Sequence, residues 1–236
     1  MTGNPSQRRL VAAATAPYRA AGTFAWHFAK GKLGHDPVFA GVLEQGVIPA
    51  CDRLLDLGCG QGLLASWLLA ARVRHAAGDW PDGWPAPPRI GQIDGIELMP
   101  RDVTRARAAL GDTADFAAGD IRRQAFGNAG TIVILDVLHY LSFRDQDAVL
   151  ERARAALRPA GTLLLRIGDA AGGWRFRWSG WVDHAAMFAR GHGRVPLNCR
   201  SLDDWVAALE LLGFRVRAVP MNRGTGFANV LLIARL

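Results

Sequence analysis

The sequence contains only three cysteines, and this shortage limits the kinds of protein it can be. Cys51, Cys59 and Cys199 are odd in number and lack the paired spacing of a metal site, so they indicate reduced thiols rather than a disulfide framework. No zinc motif is present, and we expect no bound metal. Reduced thiols favour a cytoplasmic location.

Long apolar runs are also lacking. No uninterrupted apolar stretch reaches the roughly 18 residues that a membrane helix requires, so no membrane span is expected. Arg8 and Arg9 precede a short alanine-rich stretch that ends at Pro17, which favours an amphipathic helix over a secretion signal. With 236 residues, half of them hydrophobic, the chain can fold as a single domain over residues 1–236.

Lysine is nearly absent. The net charge is +7, yet Lys30 and Lys32 are the only lysines, so arginine supplies almost all of the positive charge. A basic surface favours acidic partners such as an anionic metabolite or an acidic carrier protein. Because the arginines are scattered and form no dense basic run, a nucleic acid partner is not expected.

The most informative feature that is present is the glycine-rich stretch DLGCGQG at residues 56–62. It follows an apolar run at residues 53–55 that is typical of a buried strand, and it precedes a helical pattern at residues 63–70. Glycines let the backbone turn sharply and approach a ligand closely, and a helix start offers unpaired N–H groups. This order of elements predicts a nucleotide-type cofactor site.

The spacing of this loop distinguishes between cofactors. A dinucleotide loop has the pattern G-x-G-x-x-G, but here the pattern is D-x-G-x-G-x-G, from Asp56 through Gly58 and Gly60 to Gly62. It resembles motif I of the class I S-adenosylmethionine (SAM) methyltransferases. The resemblance implies that SAM is the cofactor and S-adenosylhomocysteine the product. It further implies that the loop, Cys59 included, passes under the methionine part of SAM, with Asp56 near its cationic amino group.

Two further acidic positions follow in the order of that family. Residues 93–98 are typical of a strand that ends in an acid, and the Glu97 carboxylate, with Leu98 beside it, suits the two hydroxyls of a ribose. The resemblance also implies that Asp120 accepts a hydrogen bond from the adenine amino group. Ile121 would donate its backbone N–H to a ring nitrogen.

The segment after the fourth predicted strand supplies a candidate catalytic residue. Residues 131–135 are a β-branched run, and Asp136 and His139 follow it. Asp136 is expected near SAM or the acceptor. His139 lies at the carboxyl edge, where open α/β sheets bind ligands, and an imidazole can accept a proton near neutral pH. A purely packing role for His139 remains open, and Tyr140, His27 and His184 are weaker candidates for the base.

The order of elements predicts the fold. Strand-like runs at residues 161–167, 214–220 and 229–236 complete an alternation of strands and helices. This alternation indicates a doubly wound, seven-stranded, mostly parallel sheet, the Rossmann-like methyltransferase fold. We expect a helical N-terminal cover and a sheet core, with a proline-rich insertion before strand two and an aromatic insertion after strand five. The expected bounds are 1–50 for the cover, 51–236 for the core, and 72–92 and 170–200 for the insertions.

Three short segments suggest a narrower group. Residues 17–22, 84–89 and 96–101 resemble methyltransferases from bacterial aryl-polyene-type biosynthetic clusters. That resemblance implies secondary metabolism and a phenolic aryl acyl acceptor, either small and free or tethered to an acidic acyl carrier protein. Loss of a proton activates both the oxygen and the ortho carbon of a phenol, so O- and C-methylation remain open.

Other functions are compatible with parts of this pattern. An oxidoreductase could place a nucleotide cofactor on a similar sheet, and a protein with this fold could bind SAM without turnover. An RNA methyltransferase is a further alternative, and its mark would be RNA binding that weakens steeply with salt.

Overall fold

A computed structural model of the chain describes residues 5–168, 197–221 and 229–236. Its strands form one seven-stranded sheet in the order β3-β2-β1-β4-β5-β7-β6. The strand β7 runs antiparallel to β5 and β6, and the other neighbouring strands pair in parallel. The predicted doubly wound fold is therefore confirmed. The strands are β1 (Cys51–Leu57), β2 (Ile90–Glu97), β3 (Asp115–Ala118), β4 (Ala129–Leu135), β5 (Leu157–Gly168), β6 (Arg215–Pro220) and β7 (Asn229–Arg235).

Helices pack on both faces of this sheet, and the buried side chains of the described residues form one hydrophobic cluster on each face. Trp67 lies in the cluster that holds the N-terminal helices, and Trp205 lies in the other. None of the helices in the described ranges has the length and apolar character needed to cross a membrane. The helices are α1 (Pro5–Thr15), α2 (Thr23–His35), α3 (Pro37–Glu44), α4 (Leu63–Ala76), α5 (Pro100–Leu110), α6 (Phe143–Ala156) and α7 (Leu202–Leu211).

The predicted insertion at residues 72–92 is too long at both ends. Helix α4 continues to Ala76, and β2 begins at Ile90, so only residues 77–89 lie outside regular structure. Helix α4 is longer than predicted because residues compatible with an α-helix continue until Gly78. The φ of Gly78 is +71°, which does not suit an α-helix. The expected aromatic insertion at 170–200 falls mostly on residues 169–196, outside the described residues.

The N-terminal cover is helical, and within it α2 ends at His35, directly before Asp36. Asp36 then starts α3, because its side chain accepts a hydrogen bond from Val38 N over 3.2 Å and Pro37 occupies the first turn. This junction brings Asp36 close to the carboxyl edge of the sheet.

Candidate functional site

The carboxyl ends of β1, β2 and β3 meet at one edge, and backbone hydrogen bonds join the loops that leave them. Gly58 N and Cys59 N both donate to Ile96 O, over 2.8 and 3.2 Å, and Gly119 N donates to Glu97 O over 2.9 Å. The structure thus brings the glycine loop, Glu97 and the Gly119–Asp120 turn side by side. The glycine loop, Glu97 and Asp120 were all singled out from the sequence.

Glu97 links two loops at this edge. One oxygen of its half-buried carboxylate accepts a hydrogen bond from Gly60 N and the other accepts one from Met99 N, both over 2.9 Å. A carboxylate oxygen can accept more than one hydrogen bond. The Glu97 side chain can therefore hold the loops in place and still accept hydrogen bonds from a pair of ligand hydroxyls.

Two glycines of the loop, Gly60 and Gly62, differ in the space that a side chain would have at their positions. Gly60 has φ +56°, and a Cβ there would meet no atom of the described residues within 4 Å. Gly62 has φ +77°, and a Cβ there would lie 2.7 Å from Cζ of Phe116. Gly62 is therefore required for packing beneath the loop. Beside Gly60 the backbone borders open space that a ligand can enter.

Asp56 and Cys59 are the buried titratable groups of this region. Burial, with a smaller contribution from the charge of Glu97, raises the pKa of Asp56 to about 7. Burial also raises the pKa of the Cys59 thiol well above its usual value, so this thiol is poorly reactive. Asp56 is thus a carboxyl group that a nearby cation would ionise, whereas Cys59 contributes packing and a backbone position.

Asp120 follows β3, as expected, but its carboxylate already has a partner. Arg122 donates to both of its oxygens, with Nε 3.0 Å from Oδ1 and Nη2 2.6 Å from Oδ2. The hydrogen bonds from Arg122 lower the pKa of Asp120. An adenine amino group would share this carboxylate with Arg122. The side chain of Ile121 is buried and that of Leu98 is exposed.

Asp136 lies at the end of β4 in an ion cluster that sequence reasoning missed. Arg166 of β5, only 4% exposed, is bound to both Asp136 and Asp36. Lys32 Nζ lies 2.9 Å from Asp36 Oδ2 and 3.8 Å from Asp136 Oδ2. The signal was an arginine inside the apolar strand segment LLLRIG, because a buried charge requires oppositely charged partners. The predicted contact of Asp136 with a cofactor stays a prediction.

His139 lies in a single 3₁₀ turn, Leu138–Tyr140, immediately beyond β4. Its ring is partly buried, and the ring centroids of His139 and Tyr140 lie 4.1 Å apart. The backbone oxygen of His139 accepts a hydrogen bond from Asn198 N over 2.8 Å. This position suits either a base or a packing residue. His27 is exposed on α2, and His184 lies outside the described residues.

No group of three or more His, Cys, Asp or Glu side chains within the described ranges could hold a metal ion.

Comparisons with known proteins agree with this arrangement. A family model described as a methyltransferase domain matches residues 20–219. A carboxy-S-adenosyl-L-methionine synthase from Chromohalobacter salexigens is 36% identical over 118 residues, which are 48% of this chain and 38% of that protein. The chain therefore matches well under half of that relative's length.

Solved structures show the same fold. Human N-acetylserotonin methyltransferase in complex with SAM has a TM-score of 0.61 and 19% identity, over 94% of this chain and 58% of that one. Magnesium protoporphyrin IX methyltransferase from Synechocystis, with bound SAH, has a TM-score of 0.59 and 15% identity, over 97% of each chain. At such identities the similarity is one of fold.

Proposed function

Because this chain belongs to the methyltransferase domain family, we propose that it binds SAM and transfers its methyl group to an acceptor. The observation that carries the proposal is the open space beside Gly60, next to the Glu97 carboxylate and the buried Asp56. Anionic groups and exposed backbone at the carboxyl edge of the sheet suit a cationic nucleoside ligand.

The residues of this edge fit SAM by their chemistry. The Glu97 carboxylate would accept hydrogen bonds from the ribose hydroxyls, and Asp56 would neutralise part of the positive charge of the methionine portion. Asp120 and the backbone of Ile121 would recognise adenine. When bound, SAM supplies an electrophilic methyl group. The chain must therefore hold the acceptor in line with that methyl group and keep water away.

His139 is the proposed general base. Its imidazole would take the proton from a hydroxyl of the acceptor, so that the oxygen or the adjacent ring carbon becomes nucleophilic. A positioned base contributes about 10²–10⁴-fold to a rate, whereas positioning of two reactants can remove about 7–11 kcal/mol of the barrier. We therefore assign most of the rate enhancement to positioning and a smaller share to His139.

We further propose a phenolic acceptor of secondary metabolism, either a small molecule or an acyl group on an acidic carrier protein, and a cytoplasmic location. The charge of the chain supports an acidic partner, since residues 1–35 contain five Arg or Lys and no Asp or Glu. Cationic groups also accompany the aromatic rings of α2: Lys30 Nζ lies 4.6 Å from the ring centroid of Trp26, and Arg105 Cζ lies 4.5 Å from that of Phe24.

Calorimetry against SAM, S-adenosylhomocysteine and NAD(P) tests the cofactor. Binding of SAM supports the proposal, and binding of NAD(P) alone would assign an oxidoreductase instead.

Mass spectrometry of a lysate incubated with methyl-labelled SAM then searches for a product that gains one labelled methyl group. A carboxylated SAM in the same mixture would point to the activity named for the C. salexigens relative, and labelled RNA would point to an RNA methyltransferase. Binding of SAM without any labelled product would favour a binding protein.

A further inference from the structure

The N-terminal cover reaches the glycine loop through one buried side chain. The hydroxyl of Tyr18 donates a hydrogen bond to the backbone oxygen of Gln61 over 2.9 Å. Tyr18 is 0% exposed and Gln61 is 3% exposed, so water does not compete for this bond. Burial raises the pKa of Tyr18 far above its usual value, and the hydroxyl therefore remains a donor throughout the neutral range.

A second hydrogen bond ties the same loop residue to the cover. The side-chain Nε2 of Gln61 donates to Ala25 O in α2 over 2.9 Å. Gln61 is thus bound through its backbone oxygen and through its side chain, and both partners come from the N-terminal segment. No other residue of the loop at 56–62 has two such bonds to this segment in the described part of the chain.

The position of Gln61 in the loop means that these two bonds affect the conformation of the glycine loop. It stands between Gly60 and Gly62, both of which have positive φ angles. Glycine has little intrinsic preference for one backbone conformation, so a loop of alternating glycines must be held by its surroundings. The bond to Gln61 O fixes the peptide group between Gln61 and Gly62, and the side-chain bond anchors Gln61 itself, next to the Gly60 backbone that faces the open space.

We infer that Tyr18 is a positioning residue for SAM binding: it holds the glycine loop in the conformation that accepts SAM. The inference rests on the proposed function. The N-terminal cover is then part of the cofactor site, because the shape of the glycine loop depends on the hydrogen bond from Tyr18.

The test compares two variants that each remove one buried hydrogen bond between cover and core. Tyr18→Phe removes the donor to Gln61 O. Trp67→Phe removes the indole donor to Phe39 O, a 2.6 Å bond that does not involve the glycine loop. Both variants are expected to lower the melting temperature. Only Tyr18→Phe is expected to weaken SAM binding, by about tenfold in Kd by calorimetry, because a buried carbonyl of the loop loses its partner.

A Tyr18→Phe protein with the wild-type Kd, or an equal loss of SAM affinity in Trp67→Phe, would overturn the inference. If Tyr18→Phe does not fold in plain buffer, the wild type and both variants are compared in trimethylamine N-oxide, which strengthens burial; a wild-type Kd for Tyr18→Phe there overturns the inference equally. If the wild-type protein itself fails to bind SAM, the proposed function fails first and the role of Tyr18 with it. These outcomes are therefore distinguishable.

Discussion

Arg166 Nε donates to Asp136 Oδ1 over 2.6 Å, which joins the end of β4 to a buried guanidinium in β5. The same guanidinium also binds Asp36, at the start of α3. Asp136 has φ +58°, a left-handed conformation that is uncommon for residues other than glycine. The ion cluster thus holds an unusual backbone position at the end of β4, shortly before the proposed base His139, and it anchors the N-terminal cover there.

Removal of this guanidinium should destabilise the fold strongly. Arg166→Met leaves Asp36 and Asp136 close together without their main cation, and the loss of one partner from a buried ion group costs about 3–5 kcal/mol. Urea unfolding measures the change in free energy of unfolding. Arg158→Met is the matched control, since its ion pair with Asp52 is about half exposed and should contribute no more than about 1 kcal/mol. Equal losses in both variants would contradict a structural role for the cluster.

Asp56 should make both stability and SAM binding depend on pH. Its pKa is raised to about 7 by burial and by Glu97, whereas a carboxyl group in an unfolded chain has a pKa of about 3.9. The folded protein therefore holds the proton more firmly. The stability from this group is complete below about pH 4 and is lost as the pH rises through about 7. The ligand-free protein should accordingly lose stability between about pH 4 and 7 through this residue, with little further loss above that range.

Asp56→Asn tests that dependence, because the amide imitates the protonated acid and does not titrate. In chemical unfolding, the variant should remove this part of the stability loss between about pH 4 and 7. In the wild type a cationic ligand favours ionised Asp56, so the Kd for SAM should fall as the pH rises towards 8. Binding at pH 6 should also release protons, which calorimetry in buffers of different ionisation enthalpy detects. The same proton release in Asp56→Asn would show that another group is responsible.

Gly60→Val should abolish SAM binding and leave the fold largely intact. The side chain would enter the open space beside the loop, and a β-branched residue is strained at φ +56°. Calorimetry with SAM and a thermal melt measure the two effects separately. Gly62→Ala provides the contrast. Its Cβ would press on Phe116, so this variant should lower the stability of the fold, which Gly60→Val should leave largely intact. An unchanged SAM affinity in Gly60→Val would show that the loop has been misassigned.

The sequence was sufficient for the parts of the site that local patterns encode. The apolar run of β1, the glycines behind it and the acid at the end of β2 lie on short continuous stretches, so strand ends and site carboxylates could be predicted together. Parallel pairing then places Leu57 opposite Ile96, which brings the glycine loop to Glu97 as expected. Helix length was less predictable, because α4 continued for five residues into a segment predicted as a loop.

Contacts between distant residues could not be predicted in this way. Tyr18 and Gln61 are 43 positions apart, and Asp36 and Arg166 are 130 positions apart. No periodic pattern connects such pairs, since the contacts arise only when the cover packs on the sheet. The sequence held one clue for each: a tyrosine inside an alanine-rich helical segment and an arginine inside an apolar strand.

His139→Ala decides whether the imidazole is a base or a packing residue. We expect the Kd for SAM to change by no more than about twofold. Turnover should fall at least about tenfold, because no imidazole is left to take the proton from the methyl acceptor. Turnover is measured on the acceptor that gains label from methyl-labelled SAM. Tyr140→Phe is the matched control: it keeps the ring that lies 4.1 Å from His139 and removes the other candidate group of this turn. Wild-type turnover in His139→Ala would make His139 structural, and a loss confined to Tyr140→Phe would move the role of base to Tyr140.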